Sequence, residues 1–214
     1  MNITTKRASV ITGLAAAAVI LFQVGCGTGS AETAEKTPLQ PEQNEMTKED
    51  MIARGRYLAT ISGCHDCHSP KVFGPQGMSL DSTRLLSGHP ANSPMPAIDP
   101  KALTPGNWVL FAPDLTAAVG PWGISYSANL TPDSTTGIGS WDEGTFIKSL
   151  RTGKHMGMDN GRPILPPMPW HMIAKMKDED LKSLYAFFRT VQPVKNQVPG
   201  PVPPDQAAAM AKKK

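Results

Sequence analysis

The stretch Cys64-His-Asp-Cys-His68 constrains this chain more than any other feature of its sequence. Two thiols spaced by two residues lie together on a tight helical turn, and the residue after the second is an imidazole. That arrangement is what covalent haem attachment requires: the thiols form thioethers with the haem vinyl groups and the imidazole ligates the iron. A zinc site would need four protein ligands, and the one other cysteine, Cys26, lies far upstream. A thioredoxin-like redox pair would want strand and βαβ surroundings, whereas a helical pattern leads into this motif. The motif therefore predicts one covalent haem c, with Cys64 and Cys67 as the attachment points and His68 as an iron ligand.

The composition agrees with such a cofactor. The chain has 214 residues with 21 Pro and 19 Gly, which argues against a long-helix bundle. Between Pro70 and Ser127 there are nine prolines and little periodicity, too much loop for a side-chain core to hold. A large apolar macrocycle changes that balance, because loops can be held by contact with it. Three helices are expected around these loops. The first starts at Thr47, with Asp50 completing a capping box, and carries Ile52, Gly55, Leu58 and Ile61. The second starts at Ser140 as N-cap, carries Phe146, Ile147 and Leu150, and ends at Gly153. The third starts at Asp178 and repeats apolar residues at Leu181, Leu184, Tyr185 and Phe188 before Pro193 stops it. Gly55 permits close approach of another helix, and the third is the expected partner. The fold class is thus mainly α, a few short helices wrapped with long Pro/Gly-rich loops around one haem.

Both ends read differently from the middle. Lys6-Arg7 followed by an apolar run from Val10 to Val24 is the pattern of an export signal. Leu21-Phe-Gln-Val-Gly-Cys26 resembles a lipoprotein cleavage box, with Gln23 in place of the usual Leu, so that Cys26 would become a lipidated first residue. Residues 1–25 are accordingly expected to be a signal peptide. Residues 26–45 lack aromatic side chains and read as a flexible tether. Residues 46–195 form the expected haem-binding domain, and residues 196–214, rich in Pro, Ala and Lys, an expected disordered tail. The 46–195 stretch carries 15 Lys and Arg against 13 Asp and Glu. With no basic stripe, nucleic acid is not an expected partner.

The sixth position on the iron decides between carrier and catalyst. Met168 is the expected ligand, because the prolines of Ile164-Leu-Pro-Pro-Met-Pro-Trp170 fix an extended strap and remove donors that an apolar cavity could not satisfy. Met156 and Met158 are the nearest competitors. His89, His155 and His171 read as hydrogen-bonding residues of loops or surface. Tyr126, Trp141, Trp170 and Arg151 are candidates for the haem edge or propionates, with loop anchoring and helix capping as the competing reading. The acceptor that orients the His68 ring is expected to be a backbone carbonyl near Pro70 or Pro75.

From about Thr47 to Pro193 the order of helix, Cys64-x-x-Cys67-His68, loops, methionine strap and terminal helix resembles the class I c-type cytochromes. It is most similar to the cytochrome subunits of bacterial alcohol and gluconate dehydrogenases. The resemblance lies in Ile124-Ser-Tyr-Ser-Ala-Asn-Leu-Thr-Pro-Asp133, Thr136-Gly-Ile-Gly-Ser-Trp141, Leu165-Pro-Pro-Met168-Pro and Asp178-Glu-Asp-Leu-Lys-Ser-Leu-Tyr-Ala-Phe-Phe188. It implies Cys64 and Cys67 on the porphyrin, His68 as proximal and Met168 as distal ligand. Those subunits carry three haem modules, whereas this sequence holds one attachment motif. The implied function is one-electron transfer outside the cytoplasm, from a periplasmic dehydrogenase to an oxidase or another cytochrome, with membrane attachment through the N-terminal lipid. The competing reading is a haem enzyme, a peroxidase or small-molecule reductase, with a labile sixth ligand.

Overall fold

The computed structural model describes residues 46–212. The expected signal peptide, tether and Cys26 lie outside the described residues.

Helix α1, Lys48–Ile61, begins where a capping box supplies the partners that its first-turn amides lack. The Asp50 amide donates to Thr47 Oγ1 at 3.1 Å, and the Thr47 amide donates to the Asp50 carboxylate at 3.3 Å. Helix α2, Cys64–His68, is a single turn that follows almost at once. Helix α3, Glu143–Thr152, starts two residues later than the sequence suggests. Asp142, not Ser140, is its N-cap, accepting from the Thr145 amide at 2.6 Å. A carboxylate gains both the hydrogen bond and the helix dipole, where the serine would gain the bond alone. A short helix α4, Trp170–Ile173, precedes α5, Asp178–Phe188, whose first turn holds Asp178, Glu179 and Asp180.

Helices α1 and α5 cross at Gly55 as the sequence predicts. A Cβ built on Gly55 would lie 1.9 Å from the Ser183 carbonyl oxygen and 2.7 Å from Phe187 Cβ, so only a glycine admits this approach. An Arg54–Asp180 ion pair at 2.5 Å and the Arg56 guanidinium, 5.7 Å above the Phe187 ring, flank the contact. The core that results contains Leu58, Phe146, Leu150, Leu181, Leu184, Phe187 and Phe188. Each large side chain buried there stabilises the fold by roughly 1.5–3 kcal/mol.

Two small antiparallel sheets add to the mainly helical architecture, and they fall in the stretch read from sequence as loop. Strands β1, Lys71–Gly74, and β2, Gly77–Leu80, form a hairpin running from the Lys71↔Leu80 pair to Gly74↔Gly77. Strands β3, Leu110–Phe111, β4, Ala117–Gly120, and β5, Gly123–Tyr126, form the second sheet in that order. All four residues of β4 are buried.

Residues 196–212 are ordered where the sequence suggests a disordered tail. Val202 pairs with Ile124 through hydrogen bonds of 2.8 and 3.0 Å, and helix α6, Pro204–Ala211, follows. Ala207 is fully buried in a second cluster with Ala102, Val119 and Ile124. Proline at the first helical position and an alanine run favour the helix. The apolar floor beneath it comes from residues about 80 to 105 positions upstream, which the composition of the tail alone does not reveal. Among the described residues no helix is long and apolar enough to cross a membrane.

Candidate haem site

A cavity of about 620 Å³ opens beside α2. This falls within the range of roughly 300–1,000 Å³ common to cofactor pockets. Cys64, Cys67 and His68 line it, and so does Met168, a hundred residues later in the chain. Leu130, Ile138, Phe146, Leu150, Ile173, Leu184 and Phe188 extend the main core into its lining, which makes it largely apolar. Ala117, Ala118 and Tyr126 contribute the edge of the β4–β5 hairpin. A Pro-rich run from Gln197 to Pro201 adds a further part of the lining.

His68 is buried, and its ring is tied by one nitrogen only. Nδ1–H donates to the Ala128 carbonyl at 2.8 Å, which leaves Nε2 with its lone pair. Burial holds the pKa of this imidazole below its ordinary value, with the Ala128 bond opposing. The neutral ring is the form that can ligate a metal. The acceptor is thus Ala128, sixty residues along, and not a carbonyl near Pro70 or Pro75; Pro70 leads into β1 and Pro75 lies in the turn between β1 and β2. Burial also pushes the Cys64 thiol up to about 11 and raises that of Cys67. Both cysteines are free. Partly buried thiols with raised pKa are poor agents of disulfide exchange, which speaks against a thioredoxin-like role. Lys71 donates its ammonium to the Asp66 carbonyl and, at 3.4 Å, to that of His65, placing a cation at the C-terminal end of α2.

The strap bearing Met168 is fastened at several points. The Ile164 amide donates to Gly153 O at 2.7 Å, the Ser125 hydroxyl to Pro166 O at 2.6 Å, and the Met168 amide to Leu165 O at 3.3 Å. Met168 is partly buried against the main core. Both Met156 and Met158 are exposed, but Met156 lines the cavity and Met158 does not. Of the remaining histidines, His155 lines the cavity and meets Trp141 edge-on at 5.6 Å. His89 is buried elsewhere, its Nδ1 2.7 Å from Thr116 Oγ1, and His171 lies on α4. Tyr126 and Trp141 reach the cavity. Trp170 packs on Gly153, and Arg151 donates to Ala174 O and the Asp178 carboxylate instead. Arg162, not singled out from the sequence, also lines the cavity.

The segment Ala128–Ile138 is braced by Asp133, whose carboxylate accepts from the amides and hydroxyls of Thr135 and Thr136. The Thr136 bonds foremost hold its pKa well below the carboxylate range, at about 2. A depressed folded pKa stabilises above the unfolded value of roughly 3.9 and loses that effect as pH falls through the folded one. The Thr135 and Thr136 amides should therefore stay protected against exchange at pH 4 and lose protection towards pH 2. A carboxyl carbon titration of Asp133 centred near 4 would contradict this.

No family model matches the chain. Curated relatives do. The cytochrome c subunit of gluconate 2-dehydrogenase from Pantoea cypripedii is 32% identical over 145 residues, 68% of this chain and 24% of the relative. This chain is a relative of dehydrogenase cytochrome c subunits. The cytochrome subunit of Gluconobacter japonicus fructose dehydrogenase is 30% identical over 195 residues, 88% of the chain and 31% of that relative. The cytochrome c subunit of the quinone-type alcohol dehydrogenase of Gluconacetobacter polyoxogenes is 39% identical over 145 residues, 67% of the chain and 23% of that relative. This relative of cytochrome subunits thus spans under a third of the length of the proteins it matches.

Proposed function

We propose that this chain is a one-electron carrier of the class I cytochrome c type, with a single haem c held by thioethers to Cys64 and Cys67. His68 and Met168 would hold its iron, the imidazole through Nε2 and the thioether through its sulfur. The observation that carries the reading is one apolar cavity lined at once by a pair of thiols, a neutral imidazole with a free nitrogen, and a thioether sulfur. These donors fit a haem: both thiols sit on the same single-turn helix as the histidine, and thioether plus imidazole is a ligand pair that suits iron in both oxidation states. When bound, the haem supplies the Fe(III)/Fe(II) couple. The polypeptide excludes water with the core side chains around the cavity, orients His68 through Ala128, and presents Met168 on a strap pinned to α3 and β5.

The relatives' names support a dehydrogenase as electron donor, and an oxidase or another cytochrome completes the proposed path. Residues 1–25 are proposed as an export signal, Cys26 as the lipidated residue and 26–45 as the tether that holds the domain outside the cytoplasmic membrane. The folded domain is proposed to run from residue 46 past 195 to include α6.

The test is made on full-length protein matured in a host that attaches haem. Its pigment should stay with the polypeptide in acid-acetone, and changing both Cys64 and Cys67 to Ala should make any remaining pigment extractable. A colourless matured protein, or pigment extracted from the unaltered chain, overturns the proposal.

A further inference from the structure

We infer that Asn196, which lies in the C-terminal segment beyond the expected domain, is a positioning residue for the His68 ring and thereby sets the reduction potential. The inference rests on the reading of His68 as an iron ligand. It starts from the Ala128 carbonyl, which accepts the His68 Nδ1–H. That carbonyl is held by the turn Leu86–His89. Gly88 N donates to His68 O at 2.8 Å, His89 N to Ser127 O at 2.9 Å, and Leu130 N to Leu86 O at 2.8 Å. The fit is close: a Cβ on Gly88 would fall 2.4 Å from Ser127 O and 2.6 Å from the Ala128 carbonyl carbon. The turn is also strained, since Leu86 adopts a φ of 60° that a branched side chain rarely accepts. Such a turn needs support from behind.

Asn196 supplies it. Its Nδ2 donates to Ser87 O at 2.7 Å and to His89 O at 2.9 Å, and its Oδ1 accepts from Ala91 N at 3.0 Å. One side chain thus satisfies three backbone groups, two in the turn and one just after it. The same residue is tied to the other side of Ala128. Its amide donates to Thr136 Oγ1 at 2.9 Å, and its carbonyl accepts from the side chain of Asn129, the residue directly after Ala128, at 3.4 Å. Asn129 is buried and further fixed by a bond to Val194 O at 2.8 Å. Asn196 therefore bridges both strands of chain that aim the carbonyl.

A well-aligned acceptor on Nδ1–H makes an imidazole more electron-rich and favours the oxidised metal. Loosening it should raise the potential. Asn196→Ala removes all three side-chain bonds. Asn196→Asp keeps the acceptor for Ala91 and turns an oxygen towards two carbonyls. In the full-length matured protein both variants should keep covalent pigment and the ferric sulfur-to-iron absorption band. Their equilibrium constant for reduction should rise at least about threefold, or about 28 mV at 59 mV per tenfold for one electron. Leu181→Val, a core change on α5 away from this network and outside the cavity lining, lowers stability and should leave the potential in place.

An unmoved potential in pigmented Asn196 variants, or an equal shift in Leu181→Val, overturns the inference and leaves the proposed function standing. A colourless unaltered protein overturns both. If neither Asn196 variant matures, hydrogen exchange in the unaltered protein decides. The His68 Nδ1 proton and the Asn196 amide should then open with the same free energy, and independent opening overturns the inference.

Discussion

Reduced protein carrying Met168→Ala should bind carbon monoxide promptly, whereas the unaltered protein should resist it. Under the proposed ligation the sulfur of Met168 occupies the sixth position, and alanine cannot reach the iron. The strap that carries it should survive the change, because its own anchoring groups are backbone: Ile164 N, which donates to Gly153 O, and Pro166 O, which accepts from the Ser125 hydroxyl. Losing a partly buried methionine should cost about 2 kcal/mol of stability, the lower end of such truncations. Two controls make the assignment specific. Met156 lines the same cavity, with a backbone φ of 55°, and Met158 stands exposed nearby. Met156→Ala and Met158→Ala should both stay resistant to carbon monoxide. If Met156→Ala binds it and Met168→Ala does not, the ligand is Met156. Prompt binding by the unaltered protein would point to a labile sixth position and favour a haem enzyme.

What could be read from the sequence was local or periodic. The Thr47–Asp50 box and the apolar repeat of α5 are set by neighbours a few residues apart, and Gly55 is marked by the side chain it lacks within the apolar stripe of α1; the structure has all three, with Ser183 and Phe187 of α5 packed on Gly55. The candidate ligands were legible because the spacing Cys64-x-x-Cys67-His68 and the prolines around Met168 carry chemistry in themselves. The structure adds that all four side chains line one cavity. Missed features depend on partners distant in sequence. Strand β4 is Ala-Ala-Val-Gly, weak in β propensity, and forms because β3 and β5 satisfy its backbone on both sides. Ala128 has no polar side chain to mark it as an acceptor, and only the fold brings its carbonyl to His68. Helix α6 is stabilised by Ile124 and Ala102, which no window on the tail contains.

Gly55→Ala should destabilise the protein by at least about 3 kcal/mol, at or above the upper end of ordinary overpacking. The sign is the informative part. In an exposed helix, alanine in place of glycine stabilises by about 1 kcal/mol. Here the added methyl would stand 1.9 Å from the Ser183 carbonyl oxygen and 2.6 Å from its carbon. Both are backbone atoms of α5, so no rotamer change relieves the clash. Ser183 itself is fully buried, with its hydroxyl donating to Glu179 O at 2.7 Å, which fixes this turn of α5 further. Relief requires the two helices to separate, and separation opens the packing of Leu58, Leu184 and Phe187 that joins them. Leu184 also lines the cavity, so a displaced α5 carries the cavity lining with it. Denaturant unfolding of the matured protein measures the effect: the midpoint should fall with the slope unchanged. Gly144→Ala on α3 is the matching control, because a Cβ there meets only the Asp142 carboxylate at 3.6 Å. That change should leave stability equal or slightly higher. A Gly55→Ala protein as stable as the original would mean that α1 and α5 do not touch at this point.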